Sequence, residues 1–172
     1  MSTETLSVVD RIPPAWRFSL LVIAAGACAL LAMFFGTAQS AVHLWATSSA
    51  YNYGYLIGPI ALYVAWTERA RVYPSVPAPS WWGIGMVGTF ALCWLVADIL
   101  GINEGRHFAL VGMLQGLVLA VLGPRICRAL AFPLVYLYLL VPTGEFLLAP
   151  LQALAHAGAV ALLGLTSISV YA

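Results

Sequence analysis

The 172-residue chain has no lysine, and charged side chains of any kind make up only 8% of it. A soluble domain of this size carries about 25% charged residues. So small a charged complement cannot cover a water-facing surface, which excludes a soluble globular protein. With 63% hydrophobic residues and a mean hydropathy of +0.97, the chain reads as polytopic, with the lipid bilayer as its first partner. The seven arginines are spread among loops and make no basic patch, so no nucleic-acid partner is expected. Three cysteines imply neither a disulfide framework nor a metal site. Cys28 and Cys93 fall mid-helix as small hydrophobes. Cys127 stands beside Arg125 and Arg128, where positive charge is expected to lower a thiol pKa. It has no histidine or carboxylate near it in sequence, so no catalytic role is expected.

Motifs for common chemistries are equally scarce. The chain holds no phosphate-binding glycine loop, no Gly-x-Ser-x-Gly nucleophile elbow and no His-Glu-x-x-His zinc helix. Gly83-Ile84-Gly85-Met86-Val87-Gly88 spells a dinucleotide pattern, but it opens a membrane helix with no strand before it. Its small residues are read as sites of close helix packing. No cofactor and no metal are expected.

What is present is a series of apolar runs. Phe18 to Phe35 is apolar or small except for Ser19, close to the roughly 20 residues that cross a bilayer. A cleaved signal peptide ending near Ala38-Gln39-Ser40 is the rival, but the run is longer than a usual signal core and a retained helix is favoured. Ala41 to Asn52 reads as an aromatic connection, and Tyr53 to Trp66 as a short second span flanked by tyrosines. Glu68, Arg69 and Arg71 end it, and Pro74, Pro77 and Pro79 make a stiff connector without helix. Ser80 is placed as the cap of a third span running to about Leu100. Gly101 to Arg106 is a loop, and His107 to Leu122 is a fourth span whose one polar residue is Gln115. The fifth covers about Ala129 to Val141, interrupted by Pro133.

A break at Pro142-Thr143-Gly144-Glu145 precedes a last apolar helix, whose start Pro150 marks. Gln152 and His156, four residues apart, share one of its faces. Leu151 to Leu165 is 15 residues, about 22 Å at the rise of an α-helix, and short of the roughly 30 Å hydrocarbon core. It is therefore expected along the outer surface rather than across the bilayer. The expected fold is all-α: a polytopic integral membrane helical bundle of about five transmembrane helices, plus a short sixth that spans or lies at the interface. Residues 1–17 are the expected cytoplasmic tail and 18–172 the membrane domain.

Orientation follows from the arginines. If the spans alternate, Arg11, Arg17, Arg69, Arg71, Arg125 and Arg128 fall on one side and Arg106 alone on the other. The amino terminus is then cytoplasmic, and the turns holding His43, Glu104 and Glu145 face outward. Ionisable groups at a membrane boundary are candidates for function, here Asn103, Glu104, Arg106, His107 and above all Glu145, which sits beside a helix break.

Several stretches carry a resemblance. In order, they are Tyr51-Asn52-Tyr53-Gly54-Tyr55-Leu56-Ile57, Tyr63-Val64-Ala65-Trp66-Thr67-Glu68-Arg69 and Pro79-Ser80-Trp81-Trp82-Gly83. Arg128-Ala129-Leu130-Ala131-Phe132-Pro133 follows, then Val141-Pro142 with Glu145-Phe146 before Pro150-Leu151-Gln152. Together they resemble the exosortase/archaeosortase family over about Trp45 to Tyr171. Tyr53 stands where that family usually has histidine, and Thr143-Gly144 where it has Leu-Pro. The resemblance implies a bacterial inner-membrane cysteine transpeptidase or protease. Its substrates would be exported proteins bearing a carboxy-terminal sorting signal (PEP-CTERM), and its setting exopolysaccharide production. A thiolate would attack a peptide carbonyl with help from a histidine and an arginine. The family's cysteine motif follows the segment matched here by Ile168-Ser169-Val170-Tyr171, and the sequence stops at Ala172. None of the three cysteines matches it, so no catalytic residue is assigned and the chain alone is expected to be inactive. Tyr53, Gly54, Glu145 and Gln152 are the expected outer-face structural or substrate-groove residues. A non-catalytic membrane scaffold and a small transporter subunit are the alternatives, and the sequence leaves the oligomeric state open.

Overall fold

The structure, a computed structural model, describes residues 14–143 and 145–164, with side chains over 16–143 and 151–160. Among these residues every regular element is a helix. They are α1 (Pro14–Met33), α2 (Phe35–Thr47), α3 (Gly54–Thr67), α4 (Arg69–Val72), α5 (Trp81–Ile99), α6 (Asn103–Leu122), α7 (Pro124–Ala129), α8 (Ala131–Tyr136), a 3-10 turn (Leu137–Leu140) and α9 (Glu145–Gly164). The chain divides into two units, residues 1–141 and 142–172, and α9 is the helix of the second.

The first unit is built on α6. Helix α5 packs along it, while α1, α2 and the 3-10 turn meet its other sides. Ala109, Leu110, Val111 and Met113 are buried there. Glycine lets α5 and α6 approach backbone to backbone. A side chain on Gly83 would overlap the backbone of Ala120, and one on Gly116 would meet Val87 and the Gly83 carbonyl. Lipid tails are as apolar as leucine, so such contact, rather than hydrophobic exclusion, holds helices together in a membrane. Outward, the bundle exposes Leu21, Met33, Leu92, Leu95 and Ile99. Over Trp16–Met33, Trp81–Ile99 and Asn103–Leu122 the helices are long and apolar enough to cross a membrane, and Gly54–Thr67 and Ala131–Leu140 are shorter apolar helices. This is the helical membrane bundle that the composition predicts.

The fifth apolar run is broken, as Pro133 leads one to expect, and a side chain from α6 supports the break. Gln115 Nε2 donates to the Leu134 carbonyl at 2.7 Å. Backbone carbonyls that leave a helix ladder at membrane depth need such partners.

Three boundaries depart from the sequence reading. The first helix ends at Met33, close to the expected Phe35, but the supposed connection from Ala41 is largely helical. Thr37 and Ala38 N–H both donate to the Phe34 carbonyl, and helix resumes through Ala38-Gln39-Ser40 to Thr47. No proline interrupts this stretch, and the Phe34 ring packs edge-on against Trp94 of α5 at 4.8 Å, holding the bend. Second, α6 starts at Asn103 and absorbs most of the supposed loop. Gly101, with φ of 68°, lets the chain reverse tightly, and Ile102 N–H closes on the Ala97 carbonyl at 2.8 Å, the Schellman ending of a helix. Third, α9 starts at Glu145, with Pro150 inside it, and has 20 residues. That is about 30 Å, so the length argument for a surface helix fails. Pro150 is the sixth residue of α9, so it removes one backbone bond inside the helix without ending it. Ser80 occupies the cap position of α5 but makes no side-chain cap bond. Leu165 and Ile168-Ser169-Val170-Tyr171 lie outside the described residues, as does most of the expected amino-terminal tail.

The first unit has two chemically different ends. At one, Trp16, Val72, Leu122 and Ile126 form a buried cluster joining the start of α1, α4, the end of α6 and α7. Arg17, Arg69, Arg71, Arg125 and Arg128 all lie close to this cluster in sequence. The proline connector is strapped to the same end by Ala78 N–H to Leu122 O at 3.3 Å and Ser80 N–H to Ala120 O at 2.9 Å. Gly123 is required there, because its φ is 82° and the Ala78 carbonyl fills the space of a Cβ. The other end holds the α5–α6 corner, the end of α2 and the 3-10 turn. Its one arginine among the described residues, Arg106, is tied to Asp98 Oδ1 at 2.8 Å and to Asn103.

Candidate functional site

At the arginine-poor end, Trp45 organises its surroundings. It stands in the last turns of α2, and its indole N–H donates to the Leu140 carbonyl at 3.1 Å. Its ring meets Tyr55 edge-on at 5.7 Å. Gly54 fits beneath that ring, since a Cβ there would lie 2.7 Å from the indole carbons. The turn between α2 and α3 is closed by Tyr51 N–H to Ser48 O at 3.1 Å and Gly54 N–H to Tyr51 O at 2.9 Å. The Asn52 amide, with its nitrogen turned inward, donates to the Ser48 and Trp45 carbonyls. Four positions of the Tyr51–Tyr55 stretch therefore serve one arrangement: they seat Trp45, and Trp45 grips the end of the 3-10 turn just before Pro142.

Beside this grip lies an apolar cavity of about 360 Å³, lined by residues of α2 and α6 and by Leu140 and Val141. His107 also lines it. The sequence reading set His107 at the start of a span facing outward; it is instead buried in the second turn of α6, only 4% exposed. Its Nε2 lies 2.8 Å from Ser40 Oγ, and Ser40 Oγ donates to the Thr37 carbonyl at 2.9 Å. Thr37 Oγ1 accepts from Trp94 Nε1 at 3.0 Å. His107 Nδ1 has no hydrogen-bond partner among the described residues. The sequence reading missed this buried polar relay from α5 to α2 to α6. The signal was present in Thr37 and Ser40, three apart on one face of an apolar helix, but they stood where a cleavage site was weighed.

The expected site residues fare unevenly. Gly54 is a packing residue under Trp45, and Tyr53 is 43% exposed and paired edge-on with Tyr51 at 6.4 Å. Glu145 and Gln152 belong to the second unit, on α9, where Gln152 and His156 are exposed. The side chain of Glu145 lies outside the described residues. Asp98, Asn103 and Arg106 form the ion-paired corner already described rather than a pocket.

As chemistry, the arrangement offers an apolar slot with one imidazole in its wall and a carbonyl-gripping indole at its edge. Among the described residues it contains no cysteine. Cys28 and Cys93 are exposed on the flanks of α1 and α5. Cys127 is at the arginine-rich end, and burial pushes its thiol up to about 11, opposite to the lowering expected from its arginine neighbours. Desolvation outweighs them because Arg125 and Arg128 are exposed and screened. Among the described residues no three of His, Cys, Asp and Glu gather into a metal-binding group.

A protein-family model described as "Transmembrane exosortase (Exosortase_EpsH)" matches residues 45–172. No curated protein and no solved structure matches the chain.

Proposed function

The chain belongs to the transmembrane exosortase family, and from that membership we propose that it forms the membrane scaffold of an exosortase-like cysteine transpeptidase. Its arginine-poor end faces outward from the bacterial inner membrane and receives the carboxy-terminal sorting signal of exported proteins. The observation that carries this reading is that the matched region holds Trp45, which ties α2 to the 3-10 turn beside an apolar slot. The slot takes the apolar part of a PEP-CTERM-type signal. His107 supplies a hydrogen-bonding position in its wall, Tyr53 and Gly54 shape its surroundings, and Glu145 and Gln152 are the substrate-facing residues proposed for the second unit.

In the reaction of such an enzyme a thiolate sulfur bonds to the peptide carbonyl carbon, the amine of the cleaved bond leaves with a proton, and a second nucleophile takes the acyl group. We assign the thiol to none of Cys28, Cys93 and Cys127, so these 172 residues bind signal without cleaving it. Coupling to exopolysaccharide production belongs to the same proposal.

A photo-crosslinking residue at Val42 tests it in cells exporting a reporter with a sorting signal. A crosslink to that reporter, absent when the signal is scrambled and severalfold weaker in Trp45→Ala, is the expected result. Equal crosslinking to the scrambled signal would overturn the groove. Thiol-dependent cleavage abolished by Cys28→Ala, Cys93→Ala or Cys127→Ala would overturn the assignment of a scaffold without its own nucleophile.

A further inference from the structure

The arginine-rich end holds a second and larger cavity, of about 690 Å³, between α1, α3, α4 and the chain near Leu122 and Leu130. Its volume lies within the roughly 300–1,000 Å³ of small-molecule sites. Leu20, Pro59, Leu62 and Tyr63 give it an apolar wall, and Trp16 and Arg69 also line it. Nothing in the reading of the outer end uses this site.

Two independent features show what fits there. The first is an unmet donor. Trp16 is only 4% exposed, and its indole N–H has no hydrogen-bond acceptor among the described residues. Buried indole N–H groups usually find one, so this nitrogen, closed off behind the cavity wall, is a donor left for an oxygen that reaches it. The second is charge at the mouth. Arg69 is exposed, sits over the Trp66 ring at 4.7 Å and donates through Nη1 to the Trp66 carbonyl at 2.9 Å, which holds its guanidinium in place with other N–H groups to offer. An apolar slot with a fixed cation at its rim and a donor just behind its wall matches an amphiphile with an anionic, oxygen-rich head. Basic pockets between membrane helices bind acidic lipid head groups by this chemistry.

We propose that this cavity is a binding site for one anionic glycerophospholipid. An acyl chain lies along Leu20, Pro59 and Leu62, the phosphate meets Arg69, and a phosphate or ester oxygen accepts from the Trp16 indole. The bound lipid bridges α1 to α3 and α4 at the end where α1 otherwise meets α4 through Trp16 and Tyr73, whose rings lie 5.3 Å apart.

The test is native mass spectrometry on the full chain, delipidated in neutral detergent and titrated with phosphatidylglycerol, phosphatidylcholine or inorganic phosphate. One phosphatidylglycerol per chain is expected to bind at least tenfold more tightly than phosphatidylcholine. Arg69→Gln and Trp16→Phe, which keeps the aromatic packing, are each expected to weaken it severalfold. Leu62→Trp, at an exposed lining position, is expected to displace the lipid without disturbing the buried cluster. Arg125→Gln with Arg128→Gln is expected to leave binding within twofold. Equal affinity for the two lipids would overturn the site. So would phosphatidylglycerol binding unchanged in Arg69→Gln, Trp16→Phe and Leu62→Trp alike, or binding lost only in the Arg125/Arg128 variant. Inorganic phosphate competing at the lipid's own concentration would show that the apolar slot contributes nothing, and would overturn it too.

Discussion

Single residues at the outer end act through space they leave empty. Gly54 opens α3, where alanine would be favoured by helix propensity by about 1 kcal/mol. Its missing Cβ is the room that Trp45 occupies, 2.7 Å away, and overpacking of this kind costs about 1–3 kcal/mol. The overlap wins. Gly54→Ala is expected to lower the thermal midpoint in detergent and to loosen the bond from Trp45 to the Leu140 carbonyl. Gly58→Ala, four residues along the same helix with nothing within 4 Å of the added carbon, is expected to leave the midpoint unchanged or raise it. A lower midpoint for Gly58→Ala than for Gly54→Ala would remove the packing explanation. Cys127 obeys a different balance. With its thiol raised from 9.0 to about 11 by burial, its thiolate population near pH 8 is roughly a hundredfold smaller than that of an ordinary thiol. In a Cys28→Ala/Cys93→Ala background, alkylation is expected to be slow at pH 8 and to accelerate through pH 10, the deprotonated form gaining as pH rises towards the folded value. Rapid alkylation at pH 8 that levels off by pH 9 would contradict the burial.

Whole elements were legible in the sequence where composition decides them, and illegible where a neighbour does. The apolar runs gave α3, α5 and the broken fifth helix closely, because lipid demands long apolar helices whatever surrounds them. The bend at Phe34 was not visible, since what holds it is Trp94, 60 positions away. The early start of α6 depends on Gly101 adopting a left-handed φ, a signal the sequence offered as Gly-Ile-Asn without stating its geometry. His107 was legible as a candidate but not as a buried one, because its partner Ser40 lies 67 residues earlier. Helix α9 was shortened by too much weight on Pro150. The α5–α6 pair is the element whose packing was best foreshadowed: the run Gly83 to Gly88, useless as a nucleotide site, places Gly83 against Ala120. The register predicts a contrast within that run. Gly83→Val is expected to force α5 away from α6 and destabilise the bundle by about 1–3 kcal/mol or more. Gly85→Val, with open space around it, is expected to be close to neutral. Denaturation of both variants in mixed micelles checks this; equal effects would mean that the glycines act through propensity rather than contact.

For the whole molecule, the two ends of the first unit decide how it sits. Five arginines of the described residues gather near the Trp16–Val72–Leu122–Ile126 cluster, while Arg106 at the opposite end is neutralised by Asp98. Cytoplasmic segments retain an excess of basic residues during insertion, and the bias is counted over short loops close to the span ends, which is where these arginines lie. Arg106 meets Asp98 at 2.8 Å and Arg71 meets Glu68 at 3.3 Å, but carboxylates weigh little in this bias, so the five-to-one distribution of arginines decides it. The bundle is therefore expected to insert with its arginine-rich end in the cytoplasm. Ser49 is exposed and Ser75 half-buried, in the turns that flank α3 on its two sides. In a variant with all three cysteines replaced, Ser49→Cys is expected to react with a membrane-impermeant maleimide on intact spheroplasts. Ser75→Cys is expected to react only after the membrane is opened. The reverse pattern would turn the molecule over, move the Trp45 slot to the cytoplasmic side and remove it from any exported substrate.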